Sequence, residues 1–230
     1  MKNRPAVHQQ PSDSLVINSP AKFTIDTFHL LCDELGRRDA HLKEIIVQHG
    51  YPPMWSRPNT FQSLILTILE QQVSLASAYA AFKKLKQKIG TVTPQKILAL
   101  SDEELRSCYF SRQKTLYARE LAHAFLSKDI QLRKLAGRDN EEIRTVLKKV
   151  KGIGDWTTDI YLIQVLQRTD IFPLGDIALV NSIKYVKQLP PHTTREELLE
   201  MSQVWQPYRT IATMLFWHHY IKRRGIILGY

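Results

Sequence analysis

Three groups of residues in the second half of the chain could do chemistry together. Asp176 follows the irregular stretch Phe172-Pro173-Leu174-Gly175 and precedes the apolar run Ile177-Ala178-Leu179-Val180. A carboxylate held there by a Pro/Gly turn can face a cleft. It could then stabilise positive charge developing on a sugar and orient an attacking water. The plain alternative is a helix N-cap, a position that Asp fills well. Upstream, Val150-Lys151-Gly152-Ile153-Gly154-Asp155-Trp156-Thr157-Thr158 reads as a tight turn between two helices. Gly152 and Gly154 permit positive φ and close backbone approach. The amides that open the second helix point outward in a partial positive field and can seat a phosphate. Lys148, Lys149 and Lys151 add charge around them. An ordinary helix–helix turn with a glycine C-cap is the alternative here. The third group is aromatic: Trp156 at the restarting helix, and Trp217 far downstream.

Helices must position these groups. Leu147 to Val150 ends one helix, and Trp156, Ile160, Ile163 and Leu166 keep a helical stripe beyond the turn. Phe61, Leu64, Ile65, Ile68, Leu69 and Val73 form another apolar stripe. Thr93-Pro94 is an N-cap with a first-turn proline. Ser101-Asp-Glu-Glu104 and Thr194-Arg-Glu-Glu197 are capping boxes, and Asn140-Glu141-Glu142 opens a further helix. No hairpin signal flanked by alternating β-branched residues occurs. The expected fold is all-α, with two helical lobes and a cleft between them. Residues 1–20 read as a flexible tail, 21–58 plus 172–230 as a terminal lobe, and 59–171 as a central lobe with the hairpin at about 141–167. The Pro52–Pro58 stretch and the region near Ile171-Phe172-Pro173 mark the boundaries.

Composition narrows the partner. The chain has 230 residues, 43% of them hydrophobic, and a net charge of +10, so a real core and a polyanionic partner are both expected. Cys32 and Cys108 form no CxxC pair, which leaves neither a zinc ribbon nor a four-cysteine iron–sulfur site. No run is long and apolar enough to span a bilayer, and Met1 to Pro11 lack the apolar block of a secretory signal. The expected location is a prokaryotic cytoplasm, associated with the nucleoid, or a nucleus, with no membrane partner. His218-His219 face different ways on a helix and read as ordinary residues with at most a DNA contact, and Lys222-Arg223-Arg224 reads as a basic helix end.

Taken in order, the hairpin, the Gly/Pro loop and the aspartate resemble the helix-hairpin-helix DNA glycosylase superfamily, closest to its 3-methyladenine DNA glycosylase II branch. Ile68-Leu69-Glu70-Gln71-Gln72-Val73-Ser74, Phe110-Ser111-Arg112-Gln113-Lys114 and Trp205-Gln206-Pro207-Tyr208-Arg209-Thr210 support that branch. The resemblance covers about residues 24–225. It implies a monofunctional enzyme that flips alkylated bases of the 3-methyladenine and 7-methylguanine class out of double-stranded DNA. Hydrolysis of the N-glycosidic bond then leaves an abasic site.

The resemblance also assigns roles. Asp176 is the catalytic carboxylate. Trp156 and Trp217 match aromatic base-pocket positions, where a cationic base gains stacking and cation–π attraction. A pocket tyrosine of some members is Ile160 here, with Tyr161 adjacent on a different face. Gln71 and Gln72 fill or probe the vacated stack, Gln72 matching the duplex wedge. Ser111, Arg112 and Lys114, with Lys151, Gly152, Gly154 and Thr157 of the hairpin, grip the DNA backbone. Main-chain carbonyls of Lys148, Val150 and Ile153 match a monovalent-cation site, and no other cofactor is required. Bifunctional relatives carry a nucleophilic lysine where Trp156 stands, so a water-using enzyme is expected; separately, a monomer is expected. Glu70 stands where many members have a small residue. Two rivals stay open: a glycosylase for oxidised or mismatched bases, and a non-catalytic binder that needs the hairpin but not Asp176.

Overall fold

The structure, a computed structural model, describes residues 22–227. Its first helices are α1 (Ile25–Arg38) and α2 (Ala40–His49). Then follow α3 (Phe61–Glu70), α4 (Leu75–Ile89), α5 (Pro94–Ala99), α6 (Asp102–Ser107) and α7 (Arg112–Leu126). The single turn α8 (Leu132–Leu135) leads to α9 (Asn140–Leu147) and α10 (Asp155–Ile160). The chain ends with α11 (Ile177–Val186), α12 (Arg195–Met201) and α13 (Arg209–Arg224). A π-helical turn, Tyr161–Val165, continues α10, and a 3₁₀ turn, Ser202–Trp205, continues α12. The described residues form no β-strand, only one isolated bridge between Lys22 and Arg168, so the fold is all-α.

Short side chains start these helices by satisfying amides that no helical carbonyl can reach. Thr60, Ser74, Thr93 and Ser111 each accept the amide three residues on. The Ser101/Glu104 and Thr194/Glu197 capping boxes are closed in both directions. The cap of α9 is Asp139, one residue earlier than the sequence pattern indicates.

Packing draws the chain ends together. α1 and α2 pack on each other and on α13, and α11 lies against α13. In the middle of the chain, α3 packs on α4, α7 and α10, α5 and α6 pack on α7, and α9 packs on α10. α13 is buried all round from Thr210 to His219, which makes it the central post of its group. The stripe of α3 buries Leu64, Ile65, Ile68 and Leu69. It stops there, because α3 ends at Glu70 and Gln72 adopts φ +57, which turns Val73 out to 44% exposure. Cys32 and Cys108 are free and buried, and burial pushes the Cys32 thiol up to about 12. No described helix is long and apolar enough to cross a membrane.

Candidate active site

Asp176 is both a helix cap and the centre of a site. Its Oδ1 accepts the amide of Leu179 at 2.8 Å, which begins α11, while its own amide donates to the Pro173 carbonyl at 2.8 Å. Two indoles then converge on the same carboxylate. Trp156 Nε1 donates to Oδ2 at 2.9 Å, and Trp217 Nε1 donates to Oδ1 at 3.1 Å. Three donors from three elements therefore fix one side chain. Each carboxylate oxygen offers two lone pairs. Oδ1 uses both, whereas Oδ2 keeps one open for a water or a sugar atom. Trp156 comes from the first turn of α10 and Trp217 from the buried post α13, so the carboxylate lies where the two helix groups meet.

A third tryptophan joins this cluster. Trp55 is half-buried and meets Trp217 edge to face, with centroids 6.3 Å apart and planes at 70°. It rides on the Pro52–Pro58 stretch, which the sequence presents only as a boundary. Arg57 ties that stretch down: its amide donates to the Gln164 carbonyl at 2.8 Å. Its guanidinium forms a bidentate pair with Glu70 at 2.8 and 2.5 Å and reaches Thr67 at 3.1 Å. Such a fork-to-fork pair fixes direction as well as charge. Glu70 thus anchors the loop that presents Trp55. No local spacing marks Trp55, since its partner lies on the last helix. His218 and His219 are buried and diverge, His218 to the His49 carbonyl at 3.0 Å and His219 to Ser182 at 2.9 Å. Burial holds both imidazoles below their ordinary pKa, and neither has a surface for DNA.

In the hairpin the two glycines do different things. Gly152 has φ +94, and a Cβ there would fall 2.1–2.5 Å from ring atoms of Tyr117. Gly154, the N-cap of α10, has φ −108 and needs no left-handed backbone, contrary to the sequence expectation. A Cβ at Gly154 would meet nothing within 4 Å, so the approach to the α10 amides is open on that side. Lys151 is exposed beside it. Lys148 is drawn across the turn to Asp155 at 2.5 Å. The helical stripe expected from Trp156 to Leu166 is interrupted by the π turn.

Four expected contact residues are engaged elsewhere. Gln71 Nε2 donates to the Gly152 carbonyl at 2.8 Å and to Thr157 Oγ1 at 2.9 Å. Gln71 therefore fastens the end of α3 to the hairpin instead of entering a duplex, and Thr157, 2% exposed, is sealed beneath it. The Lys114 ammonium donates to the Leu69 carbonyl at the end of α3, and burial lowers its pKa. In this structure it holds a helix terminus. Tyr161 is 1% exposed, its hydroxyl donates to Asn59 Oδ1 at 2.9 Å, and it belongs to the core rather than to the pocket. Gln72, Ser111 and Arg112 remain exposed.

Residues 65–207 match the model of the HhH-GPD superfamily base excision DNA repair protein. The chain is 32% identical over 190 residues to DNA-3-methyladenine glycosylase 1 of Schizosaccharomyces pombe, covering 80% of this chain and 83% of that protein. It is 28% identical over 172 residues to a DNA-3-methyladenine glycosylase of Bacillus subtilis, covering 70% of this chain but only 57% of that protein. Another Bacillus subtilis relative is spanned over 64% of its length. The structure of the Schizosaccharomyces pombe 3-methyladenine DNA glycosylase Mag1 in complex with abasic DNA has a TM-score of 0.76 and 30% identity, covering 82% of this chain and 95% of that one.

Proposed function

The chain belongs to the HhH-GPD superfamily of base excision DNA repair proteins, and on that premise we propose that it is a monofunctional DNA glycosylase excising alkylated bases from duplex DNA. One observation carries this reading: a single carboxylate, Asp176, is fixed by Trp156 and Trp217 with one Oδ2 lone pair open, and no lysine stands in the place of Trp156.

The chemistry follows from that arrangement. A purine alkylated on a ring nitrogen is already cationic, so it leaves without a proton from an acid. Water oxygen bonds to the sugar C1′ as the C1′–N bond breaks. The bonding pair departs with the base, which becomes neutral, and the water's proton passes to Oδ2 or to solvent. Positive charge on the sugar peaks in the transition state, where a fixed anion is worth most. The half-buried Trp55 and the face of half-buried Trp156 offer aromatic surface to the extruded cation, with Trp217, 8% exposed, packed behind them. The hairpin at Gly154 and Lys151 seats a backbone phosphate. Neutral carbonyls of Lys148, Val150 and Ile153 suit a monovalent cation there. Val150 O gives one lone pair to the Ile153 amide at 3.0 Å and keeps the other. Such an ion would supply positive charge toward the phosphate.

The direct test is to incubate the full chain with methylated genomic DNA and identify the bases released. Release of 3-methyladenine and 7-methylguanine is the expected result. Release of oxidised bases alone, or of none, would overturn the reading.

A further inference from the structure

Glu70 is an acid in a place that disfavours acids. It is the last residue of α3, where the unpaired carbonyls of the helix already concentrate negative charge. Its side chain is only 9% exposed, so little solvent screens it. A neutral residue would end the helix at less cost. Where a local rule is broken without a local gain, the residue serves something beyond its own element. Arg57, which takes both oxygens of Glu70, shows what that is.

Residues 52–56 make no hydrogen bond within the described residues. Trp55 rides on this unfastened run, where packing alone would hold its indole loosely. Arg57 ends the run. Its amide is fastened to Gln164 on the π turn, and its guanidinium to the end of α3. Trp55, two residues earlier, is thereby held against the Trp217 ring at 6.3 Å and the His218 ring at 6.5 Å. A largely buried ion pair adds little net stability, because desolvation offsets its attraction. What a bidentate pair does add is a fixed position and direction.

We propose that the Glu70–Arg57 pair positions Trp55 as a preformed wall of the base pocket and so governs how fast alkylated purines are excised. The inference rests on the proposed glycosylase reading. A wall that is already ordered costs no entropy when the base arrives. Cation–π attraction fades once the charge lies more than about 6 Å from the ring centroid, so a loosened loop loses it. Glu70 is thus a positioning residue that acts through Trp55.

The test uses the full chain and a duplex carrying one 7-methylguanine. Arg57→Met/Glu70→Leu replaces both charges with apolar groups, so Tm should stay within a few degrees of wild type. Single-turnover excision should slow by about fivefold or more, as for loss of one cation–π contact, with affinity for an abasic duplex unchanged. Trp55→Ala should slow excision at least as much. Combining all three substitutions should slow it no further, because the pair works through the indole. Multiplied losses in the triple variant would overturn the proposal. So would a wild-type rate in the pair variant, or a rate loss matched by a loss of abasic-duplex affinity. If the pair variant fails to fold, Arg57→Lys, which keeps the charge without the fork, takes its place alone and with Trp55→Ala. If wild-type protein releases no alkylated base, the glycosylase reading itself fails. Normal release with an indifferent pair variant refutes only the positioning role.

Discussion

Trp156 Nε1 lies 2.9 Å from Asp176 Oδ2, so the first turn of the hairpin's second helix is hydrogen-bonded to the carboxylate that caps α11. Its indole edge is committed to the acid, and only its face remains for a base. The hairpin proposed to seat DNA and the carboxylate proposed to meet the sugar are thus directly hydrogen-bonded. A shift of either by a fraction of an ångström would move the other.

Asp176→Asn replaces the anion without changing its shape. Duplex affinity should hold while single-turnover base release slows by about two to three orders of magnitude. A wild-type rate would remove Asp176 from the chemistry.

Trp156→Phe keeps an aromatic face and deletes the donor to Oδ2. A hydrogen bond to a charged group contributes about 1.5–3 kcal/mol, so excision should slow by roughly tenfold to a hundredfold, with abasic-duplex affinity little changed. An unchanged excision rate would show that the Trp156 N–H does not matter to the chemistry.

No amine stands at the Trp156 position, so no imine intermediate should form. Borohydride added during turnover should trap no protein–DNA adduct. A covalent adduct in good yield would mean that a lysine from elsewhere in the chain attacks the sugar.

The two hairpin glycines should separate stability from binding. Gly152→Ala forces a Cβ into the Tyr117 ring at a left-handed φ and should lower Tm by several degrees. Gly154→Asp points into open space, so it should preserve Tm. It should still weaken binding to all duplex sequences alike, because its carboxylate meets phosphate. Equal Tm losses in the two variants would contradict the geometry.

Asp159 is buried in the hairpin against Arg144 at 2.5 Å, and burial raises its pKa from the ordinary 3.8 to about 6 despite the guanidinium. The folded chain therefore binds this proton more readily than the unfolded chain. Stability from this group should rise as pH falls through about 6 toward 4. Thermal melts of wild type and Asp159→Asn over that range should show the difference moving in favour of wild type as the pH drops. A flat or opposite trend would place the titration elsewhere.

Much of this architecture is written in local sequence. Hydroxyl and carboxylate caps act within three residues, and apolar stripes repeat within one or two turns, so helix starts and buried faces can be read along the chain. Asp176 is legible because its Pro/Gly turn and the apolar run after it are contiguous, and Trp156 because it occupies a motif position. The orientation of those groups is decided in three dimensions. Asp176 gains donors from positions 156 and 217, and nothing local states that both indoles turn their N–H edges toward it. Gln71 and Thr157 look like surface contacts until α3 meets the hairpin and each satisfies the other. Trp55 looks like part of a linker until Arg57 finds Glu70. Periodicity assigns a residue to a face of its own helix, but a polar side chain's role depends on which partner from a distant element reaches it first, and only the packed chain determines that.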